Sequence, residues 1–467
     1  MDPVPSPSIA LPERSMPEPL IPEPLIPEPL IPEPMIPEPM IPEPLILVRR
    51  AGPLAGEVLV PGAKNSVLKL MAATLLTDGS FELGNVPEIV DVSIMAELLG
   101  AIGLSIVAPG RGRLVLTNRG DLTPVAPYEL VERIRASINV LGPLLTRCGH
   151  VRLSLPGGDD FGARPIDMHV AGLEAMGATF KFSHGYLEAF ADRLHGAEIT
   201  FDFPSVGATE NLLMAAVYAQ GATTIHNAAR EPEIIDLCDF LVAMGAHIDG
   251  IGTASLTVTG VDRGSLRPVS HTTVPDRIQA ATYLAAVAVA GGEIVVRGAR
   301  PAHMEMLLTR FREMGVAIES SDDGLVVVAP ERLRSIDVAT LPYPGIATDY
   351  KPLIITMLSI ADGVGIVTEN LYPGRFRYVE ELQRLGADIR TSGHHAVVRG
   401  VRRLSGAPVR AHDIRAGAAM VVAGLAAEGT TAIAGVHHID RGYDDLVGRL
   451  RSVGADIERM PPNAPTS

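Results

Sequence analysis

The chain has 467 residues, of which 47% are hydrophobic and 20% charged, and its formal net charge is −15. Such an acidic chain is a poor partner for nucleic acid or an anionic membrane, and its length suits roughly two to three domains. Cys148 and Cys238 are the only cysteines, so we expect neither a disulfide framework nor a cysteine metal site. The sequence has no apolar run of membrane-spanning length and no signal-peptide pattern at its start, which predicts a cytoplasmic protein.

Residues 1–46 form a low-complexity segment in which Pro-Glu-Pro motifs alternate with Leu, Ile and Met. Proline at nearly every second position removes backbone donors and fixes φ, which excludes helix and sheet. We therefore expect a disordered, Pro-rich tail that acts as a semi-rigid tether. The recurring Ile and Leu pairs also fit a docking ligand, but they indicate no particular partner.

An internal repeat begins at residue 47. A helix-like segment that ends at a glycine and is followed by an alternating strand recurs six times, with the glycines at Gly103, Gly177, Gly245, Gly315, Gly386 and Gly454. Glycine is the expected residue just past a helix C-terminus, and a period of about 70 residues indicates a whole supersecondary unit. Six units divide naturally into two similar α/β domains, with a boundary near residues 264–275, where Gly, Pro, Ser and Thr cluster.

Each unit also contains a second, more apolar helix that opens on polar or charged residues. These helices begin near Lys64, Arg135, Ser205, Asp276, Thr348 and Asp413. A helix that is apolar on nearly all sides is buried, so the six positive N-terminal ends would gather at one end of each domain. If the two domains face each other there, the cleft suits anions. Ordinary helix capping is the alternative interpretation of these charges.

Residues 155–168 form a glycine-rich stretch between a strand-like and a helix-like segment. It carries two adjacent carboxylates, Asp159 and Asp160, and Arg164 follows them. A mobile loop with acid groups beside an arginine suits an enzyme that covers an anionic substrate and gives it a proton. A plain surface turn, in which Gly and Asp serve only the turn, is the alternative.

The sequence contains no nucleotide-phosphate loop, dinucleotide fingerprint, zinc-protease motif or nucleophile elbow. His394–His395 and His437–His438 lack carboxylates at ligand spacing, so we expect no metal and no cofactor. What remains is an anionic substrate and acid–base chemistry. The candidate phosphate-clamp residues are Lys64, Arg135, Arg164, Arg375, Arg415 and Arg441, and the candidate proton-transfer carboxylates are Asp159, Asp160, Asp349 and Asp413.

Several separate motifs resemble the UDP-N-acetylglucosamine enolpyruvyl transferases, members of the EPSP synthase-like family. The matching stretches are residues 61–66, 135–137, 155–169, 344–349, 375–376, 413–416 and 438–443. The resemblance implies a two-domain, inside-out α/β barrel built from six βαβαββ repeats, three in each domain. It assigns residues 64–270 to one domain, residues 47–63 and 271–460 to the other, and residues 461–467 to a short C-terminal tail.

The resemblance also implies a reaction. The enolpyruvyl group of phosphoenolpyruvate would pass to the 3′-hydroxyl of UDP-N-acetylglucosamine with release of phosphate, the first committed step of peptidoglycan precursor synthesis. Protonation of the methylene carbon makes C2 electrophilic, the sugar hydroxyl attacks, and the tetrahedral intermediate then loses a proton and phosphate. These two small molecules are the partners that the resemblance implies.

By the same resemblance, the catalytic residues are Lys64, Asp159, Asp349 and Arg441. Asp159 lies where most members carry a cysteine as the general acid, and an aspartate at this position resembles the actinobacterial members. Asp349 matches the proposed base. A carboxyl acts as an acid here only if its pKa is raised, which loop closure and the neighbouring Asp160 favour. The antibiotic fosfomycin alkylates the cysteine of other members, so an aspartate implies insensitivity.

The binding residues implied by the resemblance form two sets. Those expected to hold phosphoenolpyruvate are Lys64, Asn65, Arg164, Arg375, Asp413 and Arg441. Those expected to hold the nucleotide sugar are Asn65, Arg135, Arg164, Pro165, Ile166, Asp167, Met168, Ser205, Val206, Gly207, Asp349 and Leu371.

The chain departs from the family's pattern at Asp160-Phe161, at Asn139, and at Tyr350-Lys351, where Leu-Gln or Met-Gln is usual. The last departure motivates one alternative, a paralogous enolpyruvyl transferase that acts on another nucleotide such as UMP. A second alternative is a non-enzymatic scaffold whose functional part is the tail. The joint presence of an acid, a base and a phosphate clamp argues against a scaffold.

Overall fold

The computed structural model describes residues 43–50, 52–158 and 165–462. Most of the predicted tail lies outside this range. The strand Leu45–Arg49, however, pairs on one side with Thr430–Ala434 and on the other with Ile457–Met460. Ile46 and Val48 are buried in this sheet. Residues 45 and 46, which the sequence places in the tail, therefore belong to the folded body.

The described chain contains six main sheets that share one topology. In five of them a parallel edge strand precedes three antiparallel strands, and in the sixth a single bridge between Val125 and Arg152 takes the place of the parallel strand. Listed in hydrogen-bonding order, the sheets are Ser270–Thr272, Gly79–Gly84, Arg113–Asn118 and Ser105–Gly110; Glu198–Thr200, Ala222–His226, Ser255–Thr259 and His247–Asp249; Leu54–Leu59, Gly292–Arg297, Gly324–Val328 and Ala317–Ser321; Val338–Ala339, Val364–Thr368, His395–Arg399 and Asp388–Ser392; Pro408–Arg410, Thr430–Ala434, Leu45–Arg49 and Ile457–Met460; and His150–Ser154, Tyr186–Phe190 and Thr179–Ser183. A further pair joins Leu404–Ser405 to Ala427–Glu428.

Six buried helices form the inside of the described chain, and we call them the central helices. They are Lys64–Ala73, Leu141–Cys148, Val206–Ala216, Arg277–Ala290, Lys351–Ser359 and Ile414–Ala426. Nearly every residue in them is buried, as expected for helices that are apolar on all sides. Two of the six predicted starts, Arg135–Val140 and Thr348–Tyr350, are 3-10 turns that lead directly into the next α-helix.

Six outer helices alternate with the central ones along the described chain. They are Val90–Ile102, Asp167–Ala175, Pro232–Met244, Glu305–Glu313, Val379–Arg384 and Leu446–Ser452. The six repeat glycines follow them with φ between +92° and +126°, a region that favours glycine. The remaining short segments are Thr74–Leu76, Tyr128–Val131, Pro301–His303 and Val436–Asp440. The predicted inside-out α/β architecture of six βαβαββ repeats is confirmed. None of the described helices is long and apolar enough to cross a membrane.

Two hydrophobic cores lie along the chain. One is built from residues 67–266 and the other from residues 46–60 and 278–457, and we call the parts around them the first and second lobes. Two antiparallel segments connect the lobes, with Ala63 N donating to Val274 O at 2.7 Å and Asp276 N donating to Pro61 O at 2.8 Å. The chain from Glu43 onward nevertheless packs as one compact unit, and the proposed domain boundaries stay a prediction.

Candidate active site

The N-terminal ends of central helices from both lobes meet where the two antiparallel segments connect the lobes. Asp276 caps the helix Arg277–Ala290 by accepting hydrogen bonds from Ile278 N and Gln279 N at 2.8 and 3.1 Å. The second oxygen of its carboxylate accepts from Lys64 N at 3.3 Å. Because Lys64 begins the first central helix, one carboxylate joins the positive ends of two helices that belong to different lobes.

Lys64 and Arg441 face each other across a buried carboxylate. Lys64 Nζ lies 2.7 Å from Asp91 Oδ2, and Arg441 Nε donates to Asp91 Oδ1 at 2.9 Å. Asp91 belongs to the first turn of an outer helix in the first lobe, whereas Arg441 comes from the second lobe. The structure therefore brings two predicted clamp residues together, and it adds Asp91, which the sequence reasoning missed.

The environment of Lys64 is both buried and strongly charged. Burial lowers the pKa of the Lys64 ammonium, Asp91 partly offsets this, and the positive charges of Arg415 and Arg441 lower it further. Clustered cations of this kind are stabilised by a bound anion, since the anion supplies the missing negative charge.

Asp349 lies among arginines on the second lobe. Its Oδ1 accepts from Arg375 at 3.3 Å and from Arg415 Nε at 3.4 Å. Asp413 caps the helix Ile414–Ala426 through Arg415 N and Ala416 N, at 2.8 and 2.9 Å, and its Oδ1 lies 3.5 Å from Arg375 Nη2. Four of the predicted residues are thus joined in one cluster: Asp349, Arg375, Asp413 and Arg415.

The arginines determine the charge state of Asp349. Burial raises the pKa of this carboxyl, but Arg415, Arg375 and Arg277 outweigh burial and lower it to about 2. Nη1 of Arg415 is buried and has no hydrogen-bond partner among the described residues. A buried donor without a partner is costly, so this nitrogen is suited to an anionic oxygen.

Arg277 ties the two lobes together beside this cluster. Its Nε donates to Glu233 Oε1 at 3.0 Å, and its Nη1 donates to Tyr350 Oη at 3.2 Å. Glu233 lies on an outer helix of the first lobe, and Tyr350 is the neighbour of Asp349. Arg277 directly follows the predicted helix start at Asp276, and its partners lie too far along the chain to be found by pattern.

The glycine-rich loop is anchored at both stems by Arg135. The guanidinium donates to the carbonyls of Pro156 and Pro165, at 3.4 and 3.3 Å. Gly157 packs so tightly that a Cβ there would lie 1.8 Å from Glu132 O, and Gly158 has φ +105°. Only glycine fits such close approaches. Asp159, Asp160, Phe161 and Arg164, which the sequence analysis singled out, lie outside the described residues.

Three of the predicted nucleotide-sugar residues, Ser205, Val206 and Gly207, lie at the start of one central helix. Ser205 caps the helix Val206–Ala216, because its Oγ accepts from Ala208 N at 3.3 Å. A Cβ on Gly207 would lie 3.2 Å from the ring of His169, a residue whose pKa burial lowers to about 4. Pro165 and Asp167 are exposed, whereas Ile166, Met168, Val206, Asn65 and Leu371 are half-buried.

Asn139 and the histidine pairs have other surroundings. Asn139 is buried, and its Oδ1 accepts from Asn211 Nδ2 at 3.3 Å, a contact within the first lobe. The rings of His394 and His395 lie tilted against each other with centroids 4.0 Å apart, and those of His437 and His438 lie likewise with centroids 4.2 Å apart. Within the described ranges no group of three or more His, Cys, Asp or Glu side chains is arranged to hold a metal ion.

The chain is similar to known proteins over most of its length. The family model of EPSP synthase (3-phosphoshikimate 1-carboxyvinyltransferase) matches residues 48–450. A UDP-N-acetylglucosamine 1-carboxyvinyltransferase of Nocardia farcinica is 51% identical over 419 residues, which cover 89% of this chain and 98% of that protein. A protein of the same name from Mycolicibacterium paratuberculosis is 52% identical over 407 residues, covering 87% of this chain and 97% of the relative.

Solved structures show the same architecture. The enolpyruvyl transferase NikO from Streptomyces tendae matches with a TM-score of 0.82 at 25% identity, over 91% of this chain and 100% of that one. EPSP synthase from Acinetobacter baumannii matches with a TM-score of 0.71 at 17% identity, over 89% of this chain and 100% of that one, a likeness of fold alone. With a family match over most of its length and relatives that share half of its residues, the chain belongs to the EPSP synthase family of enolpyruvyl (carboxyvinyl) transferases.

Proposed function

We propose that this protein transfers the enolpyruvyl group of phosphoenolpyruvate to the 3′-hydroxyl of UDP-N-acetylglucosamine and releases phosphate. The observation that carries the proposal is the cluster in which Asp349 contacts Arg375 and Arg415. It combines an ionised carboxylate with buried cations, as a reaction between two anionic substrates requires. The relatives that share about half of their residues with this chain carry the name of this activity.

The roles of the side chains follow from their charges. Lys64 and Arg441 hold phosphoenolpyruvate, and Arg415 offers its unpartnered Nη1 to an anionic oxygen. Asp159 protonates the methylene carbon, which leaves C2 electron-poor. The sugar 3′-oxygen forms a bond to C2 while Asp349 takes the hydroxyl proton. A proton is then lost from the new methyl group, the bond between C2 and the phosphate oxygen breaks, and inorganic phosphate leaves.

Substrate binding also prepares the base. A carboxylate with a pKa of about 2 is a weak base, and proton transfer works best when the pKa of the base lies near the working pH. A bound phosphate or carboxylate offsets the positive charges of Arg375 and Arg415. We expect the pKa of Asp349 to rise once both substrates are bound.

The alternative acceptor, another nucleotide such as UMP, rests on Tyr350-Lys351. Both side chains are buried and hydrogen-bonded to protein groups, Tyr350 to Arg277 and Lys351 to the carbonyl of Arg375. Residues that are satisfied inside the protein do not select an acceptor by direct contact. UDP-N-acetylglucosamine therefore remains the stronger proposal for the acceptor. The cytoplasmic location and the absence of nucleic acid or membrane partners remain proposals too, and the tail partner stays unknown.

A phosphate-release assay tests the proposal. The full chain is incubated with phosphoenolpyruvate and, in turn, UDP-N-acetylglucosamine, UDP-glucose, UMP or shikimate 3-phosphate. We expect release with UDP-N-acetylglucosamine and little with the others. Faster release with UMP would favour the alternative acceptor, and no release with any acceptor would contradict an enolpyruvyl transfer.

A further inference from the structure

Lys351 is a fully buried lysine directly beside the active-site cluster. It begins a central helix two residues after Asp349, and its side chain is 0% exposed. Its Nζ lies 2.9 Å from Glu369 Oε2, donates to the carbonyl of Arg375 at 2.5 Å, and lies 3.9 Å from the centre of the Phe376 ring. Burial lowers the pKa of Lys351 to about 8, partly offset by Glu369, so the amine is still largely protonated at neutral pH.

Its partner Glu369 organises the surrounding backbone. This carboxylate is also 0% exposed. Its Oε1 accepts from Thr340 Oγ1, Leu371 N and Tyr372 N at 2.7, 2.8 and 3.0 Å, and its Oε2 accepts from Thr348 Oγ1 at 2.7 Å. Glu369 therefore holds both the residue before Asp349 and the turn that leads to Arg375.

These contacts close into a ring behind the reacting groups. Lys351 bonds the backbone of Arg375, the guanidinium of Arg375 bonds Thr348 Oγ1 at 3.3 Å, and Thr348 bonds Glu369, which pairs with Lys351. Asp349 contacts the same guanidinium. A shift of Lys351 would therefore move Arg375 and Asp349 together.

The energetics of burial favour a role other than stability. Removing two opposite charges from water costs about as much as their attraction returns, and an apolar pair of similar volume is often equally stable. A buried pair kept beside a reaction centre is better explained by the geometry that it fixes, because a displacement of about 1 Å in a reacting group costs roughly 100-fold in rate.

We propose that Lys351, together with Glu369, is a positioning residue for enolpyruvyl transfer, which fixes the backbone of Arg375 and the turn that carries Asp349. The inference rests on the proposed function, because it assigns Asp349 as the base. It also gives Tyr350-Lys351 a task inside the protein: the pair departs from the Leu-Gln or Met-Gln of the family without facing the acceptor.

The test compares three variants with the full-length wild type. Lys351→Met with Glu369→Gln removes both buried charges at similar volume, and Lys351→Gln installs the family's usual residue, whose amide still donates. Lys181→Met is the matched control, since Lys181 is exposed and lies over the Phe190 ring at 5.5 Å. Circular dichroism gives Tm and the folded fraction, and phosphate release gives kcat and the KM of each substrate per folded molecule.

We expect the double variant to fold with a Tm close to that of the wild type and to lose about 10- to 100-fold in kcat. Its KM for phosphoenolpyruvate should change by a smaller factor than kcat, because Lys64 and Arg441 still hold that substrate when Arg375 shifts. Lys351→Gln loses the charge pair with Glu369 but keeps a donor, so its kcat should lie between those of the double variant and the wild type at an unchanged Tm. Lys181→Met should match the wild type.

A double variant that is folded and turns over like the wild type would overturn the proposal, as would a loss that merely follows the unfolded fraction. If the double variant does not fold, Lys351→Gln decides. A lower kcat at unchanged Tm then supports positioning, whereas a kcat equal to that of the wild type, at any Tm, overturns it. A wild type that forms no product at all would contradict the proposed function instead.

Discussion

Asp349→Asn removes the carboxylate that pairs with the guanidinium groups of Arg375 and Arg415, at 3.3 and 3.4 Å. An ordinary aspartate has a pKa of 3.8, whereas Asp349 in the folded protein has a pKa of about 2, because the neighbouring arginines outweigh the opposing effect of burial. A difference of this size corresponds to about 2 kcal/mol of folding stability at neutral pH. The amide also cannot accept the hydroxyl proton, and loss of a general base costs about 100- to 10,000-fold in kcat.

The stability effect has a definite dependence on pH. A carboxyl whose pKa is lowered by folding stabilises the protein fully above the unfolded pKa, and the contribution is lost as pH falls through the folded pKa. The wild type should therefore exceed Asp349→Asn in the free energy of unfolding by about 2 kcal/mol at pH 7, with the gap narrowing between about pH 4 and pH 2.

Urea unfolding at pH 7 and at pH 3 measures the gap, and phosphate release at pH 7 measures kcat. Asp388→Asn is the matched control, because Asp388 forms an exposed ion pair with Arg399 at 3.5 Å; such a pair contributes at most about 1 kcal/mol. If Asp349→Asn keeps a kcat within about threefold of the wild type, Asp349 is not the base. If it loses no stability at pH 7, the arginines do not hold the carboxylate as the structure describes.

Further predictions concern the clamp, the acid and the tail. Lys64→Met and Arg441→Met should each lower kcat/KM for phosphoenolpyruvate, with a loss of about 2–4 kcal/mol in transition-state stabilisation. Steady-state kinetics measures this loss, and a near-normal kcat/KM in either variant would show that its residue is not part of the clamp. The wild type should resist fosfomycin, whereas Asp159→Cys should be inactivated by it in a time-dependent way. Asp159→Asn should lose most of its turnover. Inactivation of the wild type by fosfomycin would show that Asp159 does not occupy the position of the family's cysteine. Deletion of residues 1–42 should leave kcat and Tm unchanged, whereas a longer cut through the strand Leu45–Arg49 should destabilise the body because that strand pairs on both sides. Loss of activity in the shorter deletion would show that the tail acts on the body.

Much of the fold was predictable because its signals are local. A glycine that follows a helix, as at Gly386 with φ +92°, can be predicted from the residues next to it. The polar starts of apolar helices are local too, as Asp276 and Asp413 show by capping the helices that follow them. Patterns of this kind give the repeat, the α/β class and the positive helix ends without any tertiary information.

The missed features depend on contacts between distant residues. Asp91 has the sequence signature of an ordinary acid in a first helix turn, yet its partner Arg441 lies 350 residues away. The strand Leu45–Arg49 follows a proline-rich segment, and only its pairing with strands near the C-terminus shows that it is part of the body. Lys351 was also misjudged from the sequence alone. Its departure from the family's pattern suggested a different acceptor, but the side chain is buried against Glu369.

The most direct test of the account is the identity of the product. The protein is incubated with UDP-N-acetylglucosamine and phosphoenolpyruvate labelled with carbon-13 at C2, and the mixture is followed by nuclear magnetic resonance and mass spectrometry. The account predicts one labelled vinyl ether, with a long-range correlation between the labelled carbon and the proton at C3 of the sugar ring, formed in equal amount with inorganic phosphate. Phosphate released without a labelled sugar, or a label attached at any other position, would contradict it.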